Sequence, residues 1–237
     1  MSDLSGRIDT LVNWMAQAKY LVIFTGAGIS TESGLPDFRG PDGLWTRQAR
    51  GLPPPAGVDW TQVEPNQAHL AVAELQNMGI LKFLITQNVD NLHLRSGIKT
   101  EMIAEFHGNI TKLRCTSCAE QVDAFPDLLN ARCPICEKGK LVSSVVNFGD
   151  PIPRRAYQDS ERHSRLCDLF IVAGSSLVVQ PAASMPEIAH EAGAKLVIIN
   201  QGETPLDNIC DLRFRESTGE VLPEAVKRLY KAYAPID

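Results

Sequence analysis

The chain has 237 residues, 44% of them hydrophobic and 22% charged, a usage close to that of ordinary globular proteins, which excludes intrinsic disorder and collagen-like structure. Lysine and arginine total 23 against 28 aspartate and glutamate, for a net charge of −5, and no basic run appears, so nucleic acid is an unsuitable main ligand. The longest apolar runs fall far short of the roughly 20 residues that span a bilayer. The N-terminus MSDLSGRID also lacks the basic-then-apolar layout of an export signal. A cytoplasmic, reducing setting is expected, with no membrane partner. There, six cysteines read as ligands or buried thiols rather than bridges.

Short β-branched runs alternate with helical-period segments, the sequence form of a parallel sheet covered by helices. The first helix is expected over about 6–19, where Ile8, Leu11, Val12, Met15 and Ala16 share a face, and it feeds a strand at 20–25. That strand runs into Gly26-Ala27-Gly28-Ile29-Ser30. Glycines there let the backbone approach a ligand, and a following helix would aim its first amides at phosphate. Thr31 stands where the full fingerprint has its third glycine, so a ligand-free strand-to-helix turn remains an alternative. Residues 38–65, rich in glycine and proline, read as a functional loop.

A second helix should begin at the cap residue Asn66 and bury Leu70, Val72, Ala73 and Leu75 before Gly79 stops it. After a strand at 81–86, the segment Thr86-Gln87-Asn88-Val89-Asp90 offers hydrogen-bonding side chains where a cofactor would sit. His107, beside Gly108, is the best general-base candidate of the five histidines, because imidazole titrates near neutrality and glycine permits close approach. From position alone a buried or capping role competes equally. His69 and His93 read as structural, and His163 and His190 as exposed helix positions.

Residues 109–147 break the alternation and read as a small inserted module. Cys115, Cys118, Cys133 and Cys136 form C-x2-C-x14-C-x2-C, in which two knuckles bring four sulfurs to the corners of one tetrahedron. Four thiolates without histidine suit a closed structural zinc site that cannot activate water. Redox pairs are the competing reading, but neither pair opens a helix after a strand. The pattern then resumes with a helix at 154–166, a strand at 169–173, a helix at 182–191 and a strand at 195–200. Gly174-Ser175-Ser176 and Asn200 fall at carboxyl strand ends, where open α/β sheets bind nucleotides. A short strand at 211–214 precedes a capping box of Ser217 and Glu220 and an amphipathic last helix with Val221, Ala225, Val226 and Leu229 on one face. Cys167 and Cys210 read as buried small hydrophobes.

GAGIS with PDFRG, TQNVDNLH, HG, the paired CxxC knuckles, NFGD and GSS occur in one order over roughly 5–235, and in that combination the chain resembles the sirtuins, NAD-dependent protein-lysine deacylases. The resemblance implies an α/β fold: a Rossmann-like parallel sheet with helices on both faces, over 1–108 and 148–237, plus a zinc-binding module at 109–147. It implies that Gly26, Ala27, Gly28, Ser30 and Thr31 line the cofactor phosphates and ribose. Asp37, Phe38 and Arg39 would belong to a cofactor loop, with Phe38 shielding the reacting carbon. Gln87, Asn88 and Asp90 would surround nicotinamide and its ribose, and Gly174, Ser175, Ser176 and Asn200 would hold the adenosine half. His107 would be the base, assisted by Asn88 and Asp90, while Val146, Phe148 and Gly149 would carry the acylated-lysine peptide as an added strand.

Only 20 residues separate Trp45 from Asn66, a short version similar to the branch that includes the animal nuclear sirtuins. Asn147 replaces an aromatic residue often found before FG, leaving acyl preference open. A monomer is expected. Protein mono-ADP-ribosyl transfer, NAD hydrolysis and non-catalytic sensing of NAD or ADP-ribose would use the same pocket and remain alternatives.

Overall fold

The computed structural model describes residues 3–54, 57–60 and 62–233, so Pro55, Ala56 and Thr61 of the long loop and both chain ends lie outside the described residues. The first helix, α1 (Leu4–Gln17), starts where the Asp3 carboxylate accepts the Gly6 amide, and it buries Ile8, Leu11, Val12 and Met15. Strand β1 (Leu21–Thr25) is buried at every position. Between it and α3 (Gln67–Asn77) lie a 3₁₀ turn (Ala27–Ser33) and the long loop, whose described residues include the short helix α2 (Leu44–Ala49).

Asn66 caps α3, accepting the amides of Ala68 and His69, and Gly79 follows at φ +73°, the left-handed region that ends a helix. Leu70 departs from expectation. It is 44% exposed, because Ala68, Ala71, Val72 and Leu75 make up the inner stripe and Leu70 falls on the outer one with Gln67 and Asn77.

Strand β2 (Leu81–Thr86), the one-turn α4 (Leu92–Arg95) and β3 (Ile103–Glu105) complete the first half. The strands β4 (Lys112–Cys115), β5 (Gln121–Asp123) and β6 (Leu141–Ser143) form a separate antiparallel sheet of order β5-β4-β6. The chain then returns through α5 (Arg154–Leu166), β7 (Leu169–Ala173), α6 (Ser184–Glu191), β8 (Lys195–Ile199), β9 (Leu212–Phe214) and α7 (Thr218–Tyr233).

The larger sheet is wholly parallel, in the order β3-β2-β1-β7-β8-β9. A parallel sheet must be covered on both faces, which is why β1 and β7 read as unbroken apolar runs. One face packs Ile23, Leu84, Ile171 and Val197 against α1, α3 and α7. The other packs Phe24, Ile85, Phe170 and Ile198 against α5 and α6. Strand order reverses between β1 and β7, so the loops after these strands diverge and leave a crevice at their carboxyl ends. Among the described residues no helix is long and apolar enough to cross a membrane.

Candidate functional site

The loop after β1 begins at Gly26 and winds into a 3₁₀ turn over Ala27–Ser33, where the sequence suggested an α-helix. The reason is contact with the loop after β7. The Gly28 amide donates to the Gly174 carbonyl at 2.8 Å, and the Gly26 amide donates to the Ala173 carbonyl at 3.2 Å. A Cβ on Gly28 would sit 2.8 Å from Gly174 Cα, and one on Gly174, itself at φ +68°, would sit 2.3 Å from the Ile29 nitrogen. Glycine is therefore required for the two loops to touch. The amides of Gly26 and Gly28 point into this seam, so these two glycines offer a ligand open backbone rather than donors.

Behind the loop lies a buried polar network. Ser30 donates to Asp90 Oδ2 at 2.7 Å and accepts from Asn88 Nδ2 at 3.1 Å. Asn88 also donates to the Gly26 carbonyl at 3.2 Å. His69 accepts the Asn66 amide at Nδ1 and turns Nε2 toward Ser30 Oγ at 3.4 Å. His93 Nε2 meets Thr25 Oγ1 at 2.9 Å, and Thr25 in turn donates to Thr86 Oγ1 at 2.9 Å. Both histidines are buried, as expected of structural residues, but His69 also braces Ser30, a residue predicted to meet the cofactor, and His93 packs against His69 at 4.8 Å. No spacing rule links position 69 to 30 or position 93 to 25, so these contacts carry no signal in the sequence. Burial pushes the His69 pKa down to about 4 and that of His93 well below its usual value. Neutral imidazoles follow.

His107 sits just past β3, on the same side of the crevice as Gln87. Its Nδ1 is 3.0 Å from the Gln87 carbonyl. A carbonyl only accepts, so Nδ1 carries the hydrogen and Nε2 keeps its lone pair. Burial lowers the His107 pKa and the Gln87 carbonyl partly opposes it, leaving the ring in the basic form at neutral pH. Gln87 itself donates from Nε2 to Ser175 Oγ at 2.8 Å, joining the loops after β2 and β7.

One cavity of about 1040 Å³ occupies the crevice. Its floor is lined by Gly26, Ala27, Gly28, Ser30 and Thr31, and by Gln87, Asn88, Asp90 and His107. Gly174, Ser175, Ser176 and Asn200 line the side beyond β7, while Asp37, Phe38 and Arg39 line the rim together with Val146, Phe148 and Gly149. The structure thus brings together every residue predicted for the cofactor, the base and the peptide edge. The sequence missed Trp45, whose ring lies 5.0 Å from Phe38 and 5.7 Å from Phe148, with Arg39 stacked over it at 4.1 Å. Phe148 is 79% exposed, and the Val146 amide donates to the His107 carbonyl at 2.9 Å.

The four cysteines predicted as ligands lie apart from this cavity, with their sulfurs all within 4.8 Å of one another. Cys115–Cys136 and Cys118–Cys133 sulfur separations are 3.6 and 3.9 Å. A tetrahedron of Zn–S bonds of about 2.3 Å places its sulfurs about 3.8 Å apart, so this donor set fits zinc. Amides of Ser117 and Cys118 point at the Cys115 sulfur at 3.3 and 3.5 Å, as suits a thiolate. Elsewhere, Cys167 is buried as expected, whereas Cys210 is only half-buried, beside β9 at the sheet edge. His163 and His190 are half-buried rather than exposed. His163 stacks on Phe83 at 3.7 Å and meets the Tyr20 hydroxyl at 2.8 Å, contacts that an outward helix position does not announce.

The family model described as the Sir2 family matches residues 26–56 and 56–181. The chain belongs to the Sir2 family. Among curated Sir2 relatives, it is 42% identical to NAD-dependent protein deacylase 2 of Archaeoglobus fulgidus, across 91% of this chain and 94% of that one. It is 41% identical to NAD-dependent protein deacetylase 1 of Bradyrhizobium diazoefficiens, across 93% and 96%. Among solved Sir2 structures, a homologue in complex with NAD is 39% identical with a TM-score of 0.76, covering 94% of each chain. A Sir2 bound to a p53 peptide and NAD+ is 33% identical with a TM-score of 0.74, covering 95% of this chain and 98% of that one.

Proposed function

We propose that the protein is an NAD-dependent protein-lysine deacylase that passes the acyl group of a modified lysine to ADP-ribose and releases nicotinamide. The observation that carries this reading is His107. A neutral imidazole, fixed by a backbone carbonyl, shares one cavity with the Gly26 loop, the Gln87–Asp90 segment and the exposed edge at Val146–Gly149. A sensor of NAD would not need a base held in this tautomer. When bound, NAD would supply the acyl acceptor and nicotinamide as the leaving group, and one water would supply the oxygen and hydrogen that free the lysine amine; binding, orientation and proton movement fall to the protein.

Ser30, Asn88 and Asp90 orient the ribose near His107, and Gln87 bounds the nicotinamide side. Nε2 of His107 takes a proton from a ribose hydroxyl, raising its nucleophilicity, a step worth about 10² to 10⁴ in rate. Phe38 and Trp45 keep water from the reacting carbon. Ser175, Ser176 and Asn200 hold the adenosine half. The peptide enters along Val146, Phe148 and Gly149 by strand addition. Cys115, Cys118, Cys133 and Cys136 hold zinc, which supplies folding energy to the lobe at 109–147 and no chemistry to the cavity. The short stretch between Trp45 and Asn66 supports a place near the branch that includes the animal nuclear sirtuins, and the reading otherwise takes the protein as a cytoplasmic monomer.

The test is to incubate the protein with NAD and peptides bearing acyl-lysines and to read the products by mass. Free lysine peptide with O-acyl-ADP-ribose is expected. ADP-ribosylated protein, or bare ADP-ribose with the peptide intact, would instead establish transfer or hydrolysis and overturn the proposal.

A further inference from the structure

Beyond β8, the wall of the cavity is formed by Asn200, Gln201, Gly202, Glu203 and Pro205. This stretch has little backbone pairing of its own at its start. The Asn200 amide donates to Phe214, and the next internal bond is from the Asp207 amide to Thr204. Asn200 Nδ2 donates to the Gly202 carbonyl at 3.0 Å and Arg215 reaches Asp207 Oδ2 at 3.5 Å, but the side chain that bonds the most points of the loop comes from the edge strand β9. The Arg213 guanidinium donates to the Asn200 carbonyl at 2.6 Å, to the Gly202 carbonyl at 2.5 Å and to its neighbour Phe214 carbonyl. Its Nε donates to Asp207 Oδ1 at 2.9 Å.

Asp207 is held in turn by Thr204 Oγ1 at 2.6 Å, so the fork ties both ends of the loop and its middle to a single rigid plane. Only a guanidinium has donors enough, in a fixed fan, to do this; an ammonium has three, on a flexible stem. Arg213 is 16% exposed in its side chain and Asp207 22%, so the pair is largely removed from water.

We infer that Arg213 is a positioning residue for the dinucleotide: it never enters the cavity but sets the shape of the wall against which the adenosine half rests. This rests on the deacylase reading of the cavity. Two consequences separate a shaping role from a merely structural one. Loss of the fan should weaken NAD and ADP-ribose while leaving the peptide edge, on the far side of the crevice, untouched. Lysine, keeping the charge without the fork, should not restore it.

The test compares the wild-type protein with Arg213→Gln, Arg213→Lys and Asp207→Asn by steady-state kinetics and by ADP-ribose titration. Expected are a rise in the NAD KM and the ADP-ribose Kd of about tenfold or more for both Arg213 variants, with peptide KM and kcat within about twofold of wild type. Asp207→Asn, which keeps the carbonyl contacts, should shift NAD KM less. Unchanged NAD KM and ADP-ribose Kd in folded Arg213→Lys would overturn the inference, as would peptide KM and kcat moving together with them. If Arg213→Gln does not fold, Arg213→Lys and Asp207→Asn decide the matter. Wild-type protein that binds ADP-ribose without deacylating any peptide would defeat the deacylase reading alone, because the titration still reads Arg213.

Discussion

The two sheets of this molecule hold themselves together by different means. The parallel sheet buries five Phe side chains and long aliphatic layers across its two faces, so its stability comes from apolar surface removed from water. The antiparallel sheet of β4, β5 and β6 has a buried cluster of only Leu113, Cys115, Cys133 and Leu141, half of it sulfur. Its strands are three or four residues long. The contrast teaches that the cysteines replace a core the module is too small to build.

The sharpest way to break that contrast is to remove metal. Chelation should unfold the module, since structural zinc contributes roughly 10 to 16 kcal/mol of apparent binding energy in small peptides. The parallel sheet should keep its amide protection; equal loss of hydrogen-exchange protection in both sheets would show that the module is no separate staple. Next in size is His107→Ala at the junction of the two regions. Turnover should fall by about 10² to 10⁴ with NAD binding and thermal stability kept. More than about a tenth of wild-type turnover would remove His107 from its role. In the wild-type protein, the acid limb of kcat/KM should lie below pH 6.5, because burial lowers the His107 pKa.

Acid should also separate the regions. His69 folds with a pKa of about 4 against 6.5 for the free side chain, and His93 is shifted the same way, so the unfolded chain binds more protons than the folded one. Stability from these groups is complete above about pH 6.5 and is lost as pH falls toward about 4. Hydrogen-exchange protection factors at β1 and β2, taken relative to the intrinsic rate at each pH, should fall across that window, and a His69→Gln variant should flatten the slope. A wild-type slope unchanged by that substitution contradicts the assignment. The smallest expected effect is Asn66→Ala, which deletes the α3 cap and should cost about 1 kcal/mol in urea unfolding of the parallel sheet. The module should not register it.

The same contrast governs what the sequence disclosed. Strands β1, β2, β7 and β8 were legible because parallel strands buried on both faces read as solid apolar runs, and α5 matched its expected span because Pro153 bounds its start and β7 follows its end. The cysteine quartet was legible because ligand spacing is short-range chemistry. The loops after β1, β2, β7 and β8 were recognised as residues facing one crevice, since strand ends converge by topology. Less was visible wherever tertiary contact decides. Leu70 looked like core because its outer stripe contains an apolar residue, and His163 looked exposed because its partners, Tyr20 and Phe83, are remote in sequence. The 3₁₀ turn after Gly26, the link from His69 to Ser30 and that from His93 to Thr25 likewise depend on partners dozens of residues away.

Where Gly28 and Gly174 meet, backbone lies against backbone with room for no further carbon atom. Such a seam has no slack to hinge upon, so the floor of the crevice is a fixed anvil. Whatever breathing admits and releases reactants must therefore be carried at the rim, by the aromatic trio of Phe38, Trp45 and Phe148. A single methyl group added at the seam would shift the anvil itself.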